Sequence, residues 1–323
     1  MPNRTTAILS PVAVGLALLI VAGLGACAKK PDHTSFASPD EAVKALIEAT
    51  RKSDMAALGK LFGPDSGDIV SSGDDVADAN ARQRFLAMYD AGHTLAPEGD
   101  DKVWLQIGEE GWPAPVPIVR RDGRWYLDGA GGADEIVYRR IGRNELGAIA
   151  VCRGYVDAQH EYAAKDHDGE GAGIYAHKLV SDPGTQNGLY WESVEGEEPS
   201  PVGPFIAAAA AEGYQAGAGA YHGYRYRPLF RQTENANGGA IDYFDSGVLR
   251  NGFALVAWPA EYGVSGVMTF VINQDGVVFQ KDLGEETPAI AAAMNAYDPD
   301  STWTAVVDSE EASVGDSEEA SAT

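Results

Sequence analysis

One helical run constrains the fold of this 323-residue chain more than any other feature. From about Asp134 to Ala164, the residues Ala148, Ile149, Val151, Cys152, Tyr155, Val156, Ala158 and Tyr162 recur at helical spacing. They form a broad apolar stripe, of the width a helix turns toward a core. Such a stripe has to be covered, and the sequence on either side supplies helices and strands. Cys152 sits inside the stripe and reads as a buried, inert thiol.

Before the long helix, the chain reads as helices followed by strands. Ser38 with Pro39, Asp40 and Glu41 is an N-cap with proline in the first turn and a capping-box glutamate. Val43, Leu46 and Ile47 continue it as a helical stripe. A second helix runs from about Asp54 through Leu58, Leu61 and Phe62 until Gly63-Pro64 stops it. A third lies between Asp75 and Tyr89, with Phe85, Met88 and Tyr89 on one side. Val103, Leu105 and Ile107 then alternate as in a half-buried strand, and Asp122-Gly123 joins residues 118–121 and 124–127 into a hairpin.

After the long helix the chain is loop-rich through Pro183-Gly184, residues 195–201 and residues 213–219. It becomes strand-like at residues 224–227, 253–258, 267–272 and 277–281. A last short helix, capped by Thr287 with Pro288 behind it, runs to about Tyr297. The expected fold class is α+β, in two modules at residues 36–133 and 134–304, each with helix packed on antiparallel sheet. Residues 305–323 carry six acids and no base, the composition of a disordered tail.

Three resemblances sharpen this reading. Helices followed by a twisted sheet with Gly123-Arg124-Trp125-Tyr126 make residues 36–127 similar to the cone of nuclear-transport-factor-2-like domains. Members of that fold include enzymes, ligand carriers and structural modules. Asn144-Glu145-Leu146, Tyr155, Gln159 and Tyr162 on the helix, with Tyr224-Arg225-Tyr226, Ala257-Trp258-Pro259 and Asp275-Gly276-Val277 beyond it, resemble type IV pilin and pseudopilin headpieces. The segment before Asn144 is polar and charged, so this resemblance implies a shared shape and not assembly into a pilus. As a whole, residues 36–303 resemble domain-of-unknown-function family 2950 of bacteria, through Arg140-Ile141-Gly142-Arg143-Asn144-Glu145-Leu146 and the stretch from Trp258 through Gly266 to Phe270. That family has no assigned activity to carry over.

The start of the chain predicts its location. Arg4 is the only charge in residues 1–26, and the apolar run 7–22, broken by Pro11 and Gly15, is shorter than the ~20 residues a membrane span needs. This is a signal peptide. Leu24-Gly25-Ala26-Cys27 resembles the lipobox of bacterial lipoproteins, which implies cleavage before Cys27 and a lipid on its thiol. Residues 27–35 then form a tether. Ala28 follows the cysteine, and by the same resemblance the product is expected at the periplasmic face of the outer membrane in a Gram-negative cell.

Removing residues 1–26 takes one arginine and no acid, leaving 23 bases against 48 acids and a net charge near −25. Nucleic acid is therefore not an expected partner, because gripping phosphate needs a basic surface. Only two cysteines exist. With Cys27 lipidated, Cys152 has no mate, and stability has to come from packing instead of disulfides.

Few stretches of the sequence carry the residues of a known chemistry. Gly263-Val264-Ser265-Gly266 lacks the spacing of a nucleophile elbow. His160-Glu161 opens like a zinc-peptidase helix, but Ala164 stands where the second histidine is needed. Asp166, Asp168 and Glu170 occupy positions 1, 3 and 5 of a calcium-type loop with Gly171 at position 6, while His177 replaces the glutamate at position 12. The same residues fit a solvated turn closing the long helix, a weak calcium site, or, with His160, Glu161 and His177, a transition-metal site. Tyr221, Tyr224, Arg225 and Tyr226 could line a glycan or peptide groove. Alternating Tyr224 and Tyr226 also fit ordinary strand packing.

With no resident cofactor expected, the first reading of function is a non-enzymatic lipoprotein, held by membrane lipid through Cys27, that docks an envelope protein partner. The alternative is a periplasmic binding protein for a small ligand or glycan, using the cone interior or the tyrosine groove. A hydrolase built on scattered acids and histidines is a third reading.

Overall fold

Ser38 starts the first helix as its context requires. Its hydroxyl accepts the Glu41 N–H at 3.2 Å, and the Glu41 carboxylate reaches back to the Ala37 N–H at 3.0 Å. In this computed structural model, residues 33–307 are described apart from 65, 168, 170, 194–198 and 215–218. Residues 1–26, Cys27 and most of the acidic tail lie outside the described residues. Helix α1 (Pro39–Arg51) buries Val43, Leu46 and Ile47. Asp54 caps α2 (Met55–Phe62) by accepting the Ala57 N–H at 2.9 Å, and Gly63 ends it. The short α3 (Gly67–Val70) and then α4 (Asp75–Ala91) follow.

The first sheet is antiparallel. It comprises β1 (His93–Pro97), β2 (Lys102–Ile107), β3 (Trp112–Pro113), β4 (Ile118–Arg121) and β5 (Arg124–Leu127). The order is β1-β2-β4-β5, with β3 also on β2. Val103, Leu105 and Ile107 point inward on β2, as their alternation predicts. Asp122 and Gly123 both take positive φ, 52° and 74°, the conformation a two-residue hairpin turn needs. Helices and sheet enclose one buried cluster, from Ala42 on α1 to Leu127 on β5.

Helix α5 (Gly129–Ala163) begins five residues before the expected Asp134. Glycine disfavours a helix start by propensity. Close packing outweighs it here. A Cβ on Gly132 would stand 2.5 Å from the Pro115 carbonyl oxygen, and one on Gly129 would collide with the Phe62 carbonyl. The glycine-rich first turn thus lets α5 enter between α2 and the loop before β4. Ile136 packs on the first cluster, whereas Ala148, Cys152, Tyr155, Val156, Ala158 and Tyr162 belong to a second one.

That second cluster is covered mainly by the C-terminal half. Its elements are α6 (Gly203–Glu212), β6 (Tyr224–Leu229), β7 (Arg231–Gln232), β8 (Ile241–Asp242), β9 (Phe244–Asp245), β10 (Val248–Leu249), β11 (Ala254–Pro259), β12 (Met268–Asn273), β13 (Phe279–Asp282), α7 (Thr287–Ala293) and β14 (Thr304–Ala305). A five-stranded antiparallel sheet runs β14-β13-β12-β11-β6, and β7 with β8 and β9 with β10 form small ladders. Helix α6 falls in a stretch where the sequence offers no stripe. It is held by a run of alanines, the best helix formers, and is closed by Gly213 in the left-handed region at φ 101°. Helix α7 ends at Ala293, before the expected Tyr297, and Glu286 rather than Thr287 is its cap.

The fold is α+β. The described residues fall within one compact unit. The boundary expected at residues 133–134 lies inside α5, whose two ends serve the two clusters. His33 and Thr34, expected in a loose tether, pack on the first half. The His33 ring nitrogen Nε2 is 3.0 Å from the Leu127 carbonyl, and the Thr34 N–H donates to Lys60 at 3.0 Å. Among the described residues, no helix is long and apolar enough to cross a membrane.

Candidate functional site

The two stretches that carried the resemblance to family 2950 meet in space. Asn144 Nδ2 donates to the Ser265 carbonyl at 2.9 Å, and Glu145 Oε1 accepts the N–H groups of both Val267 and Met268 at 3.0 Å. Charged acceptors satisfying two backbone donors make strong bonds. They fix α5 against the turn that leads into β12. Gly266 lies in that turn because a Cβ there would collide with the hydroxyl of Tyr224. Tyr224 is fully buried and donates to the Met268 carbonyl at 2.9 Å.

Further along α5, Gln159 acts as a bracket. Its amide donates to the Ala176 carbonyl and accepts the Ala176 N–H, both at 2.8 Å, and it also donates to the Tyr155 hydroxyl at 3.0 Å. This sets the course of the chain toward Leu179 and Val180. Between α5, α6 and β6 lies a cavity of about 420 Å³. Val151, Gly154 and Tyr155 form its floor, Phe205, Ile206 and Ala209 its α6 wall, and Tyr214, Tyr221 and Tyr226 one end. Gly154 matters sterically, since a Cβ there would stand 2.8 Å from the Phe205 ring. The glycine lets the ring lie directly on the helix.

No charged side chain lines this cavity among the described residues. Its polar side chains are the phenols of Tyr155, Tyr214, Tyr221 and Tyr226. Burial pushes the Tyr155 and Tyr226 hydroxyls well above their ordinary range. Burial, and then the Asp74 carboxylate, do the same for Tyr214. These groups stay protonated and act as neutral donors. The Tyr226 hydroxyl lies 3.4 Å from the Tyr221 carbonyl, whereas the Tyr221 hydroxyl has no hydrogen bond among the described residues. Tyr221 and Tyr214 meet edge to face with ring centres 4.9 Å apart.

The residues expected to form a tyrosine groove separate. Tyr221 and Tyr226 reach the cavity, Tyr224 is a core residue, and Arg225 points to solvent from the opposite face of β6. Sequence reasoning missed Phe205, Tyr214 and α6 as a whole, whose register against α5 is set by contacts no local pattern records. Asp168 and Glu170 of the calcium-type loop lie outside the described residues. Asp166 accepts the Gly169 N–H at 2.8 Å, as the first residue of a turn does. Among the described residues, no group of three His, Cys, Asp or Glu is placed to hold a metal ion. Cys152 is fully buried, and burial pushes its thiol up to about 12.

A family model described as "Protein of unknown function (DUF2950)" matches residues 33–306. No curated protein and no solved structure matches the chain.

Proposed function

The chain belongs to the DUF2950 family of proteins of unknown function, and for it we propose a binding role: an exported lipoprotein, held through Cys27, that carries a small uncharged molecule. The observation behind this reading is the aromatic cavity of about 420 Å³ between α5, α6 and β6. Ligand sites span about 300–1,000 Å³ and are mostly apolar with a few directed polar groups. Tyrosine phenols over an apolar floor suit a lipophilic or aromatic body bearing one or two hydroxyl or carbonyl groups. The reading is non-enzymatic, since the cavity offers neutral phenols where a base or nucleophile would be needed. Binding thereby moves ahead of docking, the first expectation from sequence, because the cavity is a specific feature that supports it.

The test is titration of the full chain, with Cys27→Ala to keep acyl groups out of the measurement, against the neutral aromatic probe N-phenyl-1-naphthylamine. Saturable fluorescence enhancement is expected, weakened about tenfold or more by Val151→Trp, which fills the floor. Leu146→Trp, on the exposed side of the same helix, serves as the control and leaves binding unchanged. Binding indifferent to Val151→Trp would contradict the proposal.

A further inference from the structure

The chain carries twice as many acids as bases, yet arginines gather at one place in its first half. Inside the first cluster lies a second cavity, of about 300 Å³, whose interior is apolar and includes Leu58, Phe62, Phe85, Leu105, Ile118 and Leu127. Asp78, Arg82, Arg139, Arg140 and Arg143, from α4 and α5, also line it.

Most of these charges are already engaged. Asp78 accepts both the N–H and the hydroxyl of Ser72 at 2.8 Å. Arg139 pairs with Glu135 at 2.6 Å. Arg140 is buried and donates to the carbonyls of Asp68 and Ile69 at 2.7 and 3.3 Å. Arg82 and Arg143 differ: neither makes a hydrogen bond or close ion pair among the described residues. The Nε of Arg82 is packed against protein and has no partner, so it is the terminal nitrogens of this guanidinium that a ligand can reach. Unpartnered guanidinium groups beside an apolar cavity suit a carboxylate, which accepts charge-assisted hydrogen bonds from them. Partial burial, and then the neighbouring charges of Arg84 and Arg140, hold the Arg143 guanidinium below its usual range, with Asp78 acting the other way.

We propose that this cavity binds an amphiphilic monocarboxylate, with its head at Arg82 and Arg143 and its apolar tail among Leu58, Phe85 and Leu105. The cavity's size fits that ligand. It has about twice the ~150 Å³ that takes up a benzene ring, room for roughly ten to twelve heavy atoms. Beyond the arginines and Asp78 the lining is nearly all apolar, which suits a hydrocarbon chain. The site is distinct from the tyrosine cavity and its ligand differs in charge.

The test is calorimetric titration of the full chain carrying Cys27→Ala with octanoate, 1-octanol and acetate. Octanoate is expected to bind at one site and more tightly than either of the others. Arg82→Gln and Arg143→Gln should each weaken octanoate about tenfold and spare 1-octanol, while Arg120→Gln, outside the cavity, changes neither. Raising salt from about 20 to 500 mM should weaken octanoate and spare 1-octanol, a readout that needs no variant in the cavity. Val151→Trp should leave octanoate binding intact, so this site stands or falls apart from the other. No octanoate binding, acetate binding as tight as octanoate, or octanoate binding indifferent to salt and to both arginine variants would overturn the proposal.

Discussion

The Asp74 carboxylate accepts the Tyr214 hydroxyl at 2.9 Å, across 140 residues of sequence. The same oxygen accepts the Gly223 N–H at 2.9 Å, and the other caps α4 through the Ala77 N–H at 2.9 Å. One buried side chain thereby starts the helix that carries Arg82 and orients a tyrosine of the aromatic cavity.

Replacing Asp74 should therefore cost more than a cap. Asp74→Ala removes the cap, leaves the Gly223 N–H without a partner and takes from the Tyr214 hydroxyl its acceptor, for an expected loss of about 3 kcal/mol. Tyr214→Phe removes the bond to Asp74 and the longer one from the His222 N–H at 3.3 Å, and should cost about 1–2 kcal/mol. Denaturant unfolding of both single variants and the double variant should show a coupling of about 0.5 kcal/mol or more; strict additivity would mean that the bond contributes nothing.

The contact between Gly266 and Tyr224 predicts a rescue. Gly266→Ala puts a methyl group against the Tyr224 hydroxyl and should destabilise by about 2 kcal/mol, within the usual range for overpacking. Tyr224→Phe alone gives up the bond to Met268, about 1 kcal/mol. The added Cβ would also stand 2.6 and 2.7 Å from two ring carbons, so on the Gly266→Ala background Tyr224→Leu, which removes the ring, should cost less than it does in the unmodified chain, and an equal or greater cost there would count against the steric explanation.

Alkali should expose the core. The Cys152 thiol rises from an ordinary 9.0 to about 12 on burial, and Tyr155 and Tyr224 are also pushed up chiefly by burial. Above the unfolded values the unfolded chain releases these protons while the native chain keeps them. Their contribution is thus full below about pH 9 and is lost as pH climbs toward about 12. Native Cys152 should resist a thiol reagent at pH 8 and react once denaturant is added. Tyrosine absorbance should rise together with unfolding; thiol reaction in the native chain at pH 8 would refute the burial.

Much of the fold was legible because its signals are local. The Ser38 cap, the start of α2 near Asp54, the alternation of Val103, Leu105 and Ile107, the Asp122-Gly123 turn and the stripe on α5 each need only neighbouring residues. The start of α5 was not legible, because its glycines oppose helix by propensity and are retained for contact with Phe62 and Pro115. Helix α6 was hidden by its alanines, which give propensity without a face. Of the site, Tyr221 and Tyr226 stood in a set of four expected to line a groove, and the other two, Tyr224 and Arg225, lie elsewhere. Phe205, Tyr214, Arg82 and Arg143 were not legible, since their meaning depends on which distant elements meet. Arg143 falls within a stretch the sequence singled out, but nothing local says that it lacks a partner.

The most direct measurement is native mass spectrometry of the chain extracted from cells that make it, beside the Val151→Trp variant. The expected result is a small molecule retained by the unmodified chain, released on unfolding, and missing or strongly depleted from Val151→Trp. An unmodified chain that carries no small molecule, or the same occupancy in both, would contradict the binding role assigned to the tyrosine cavity.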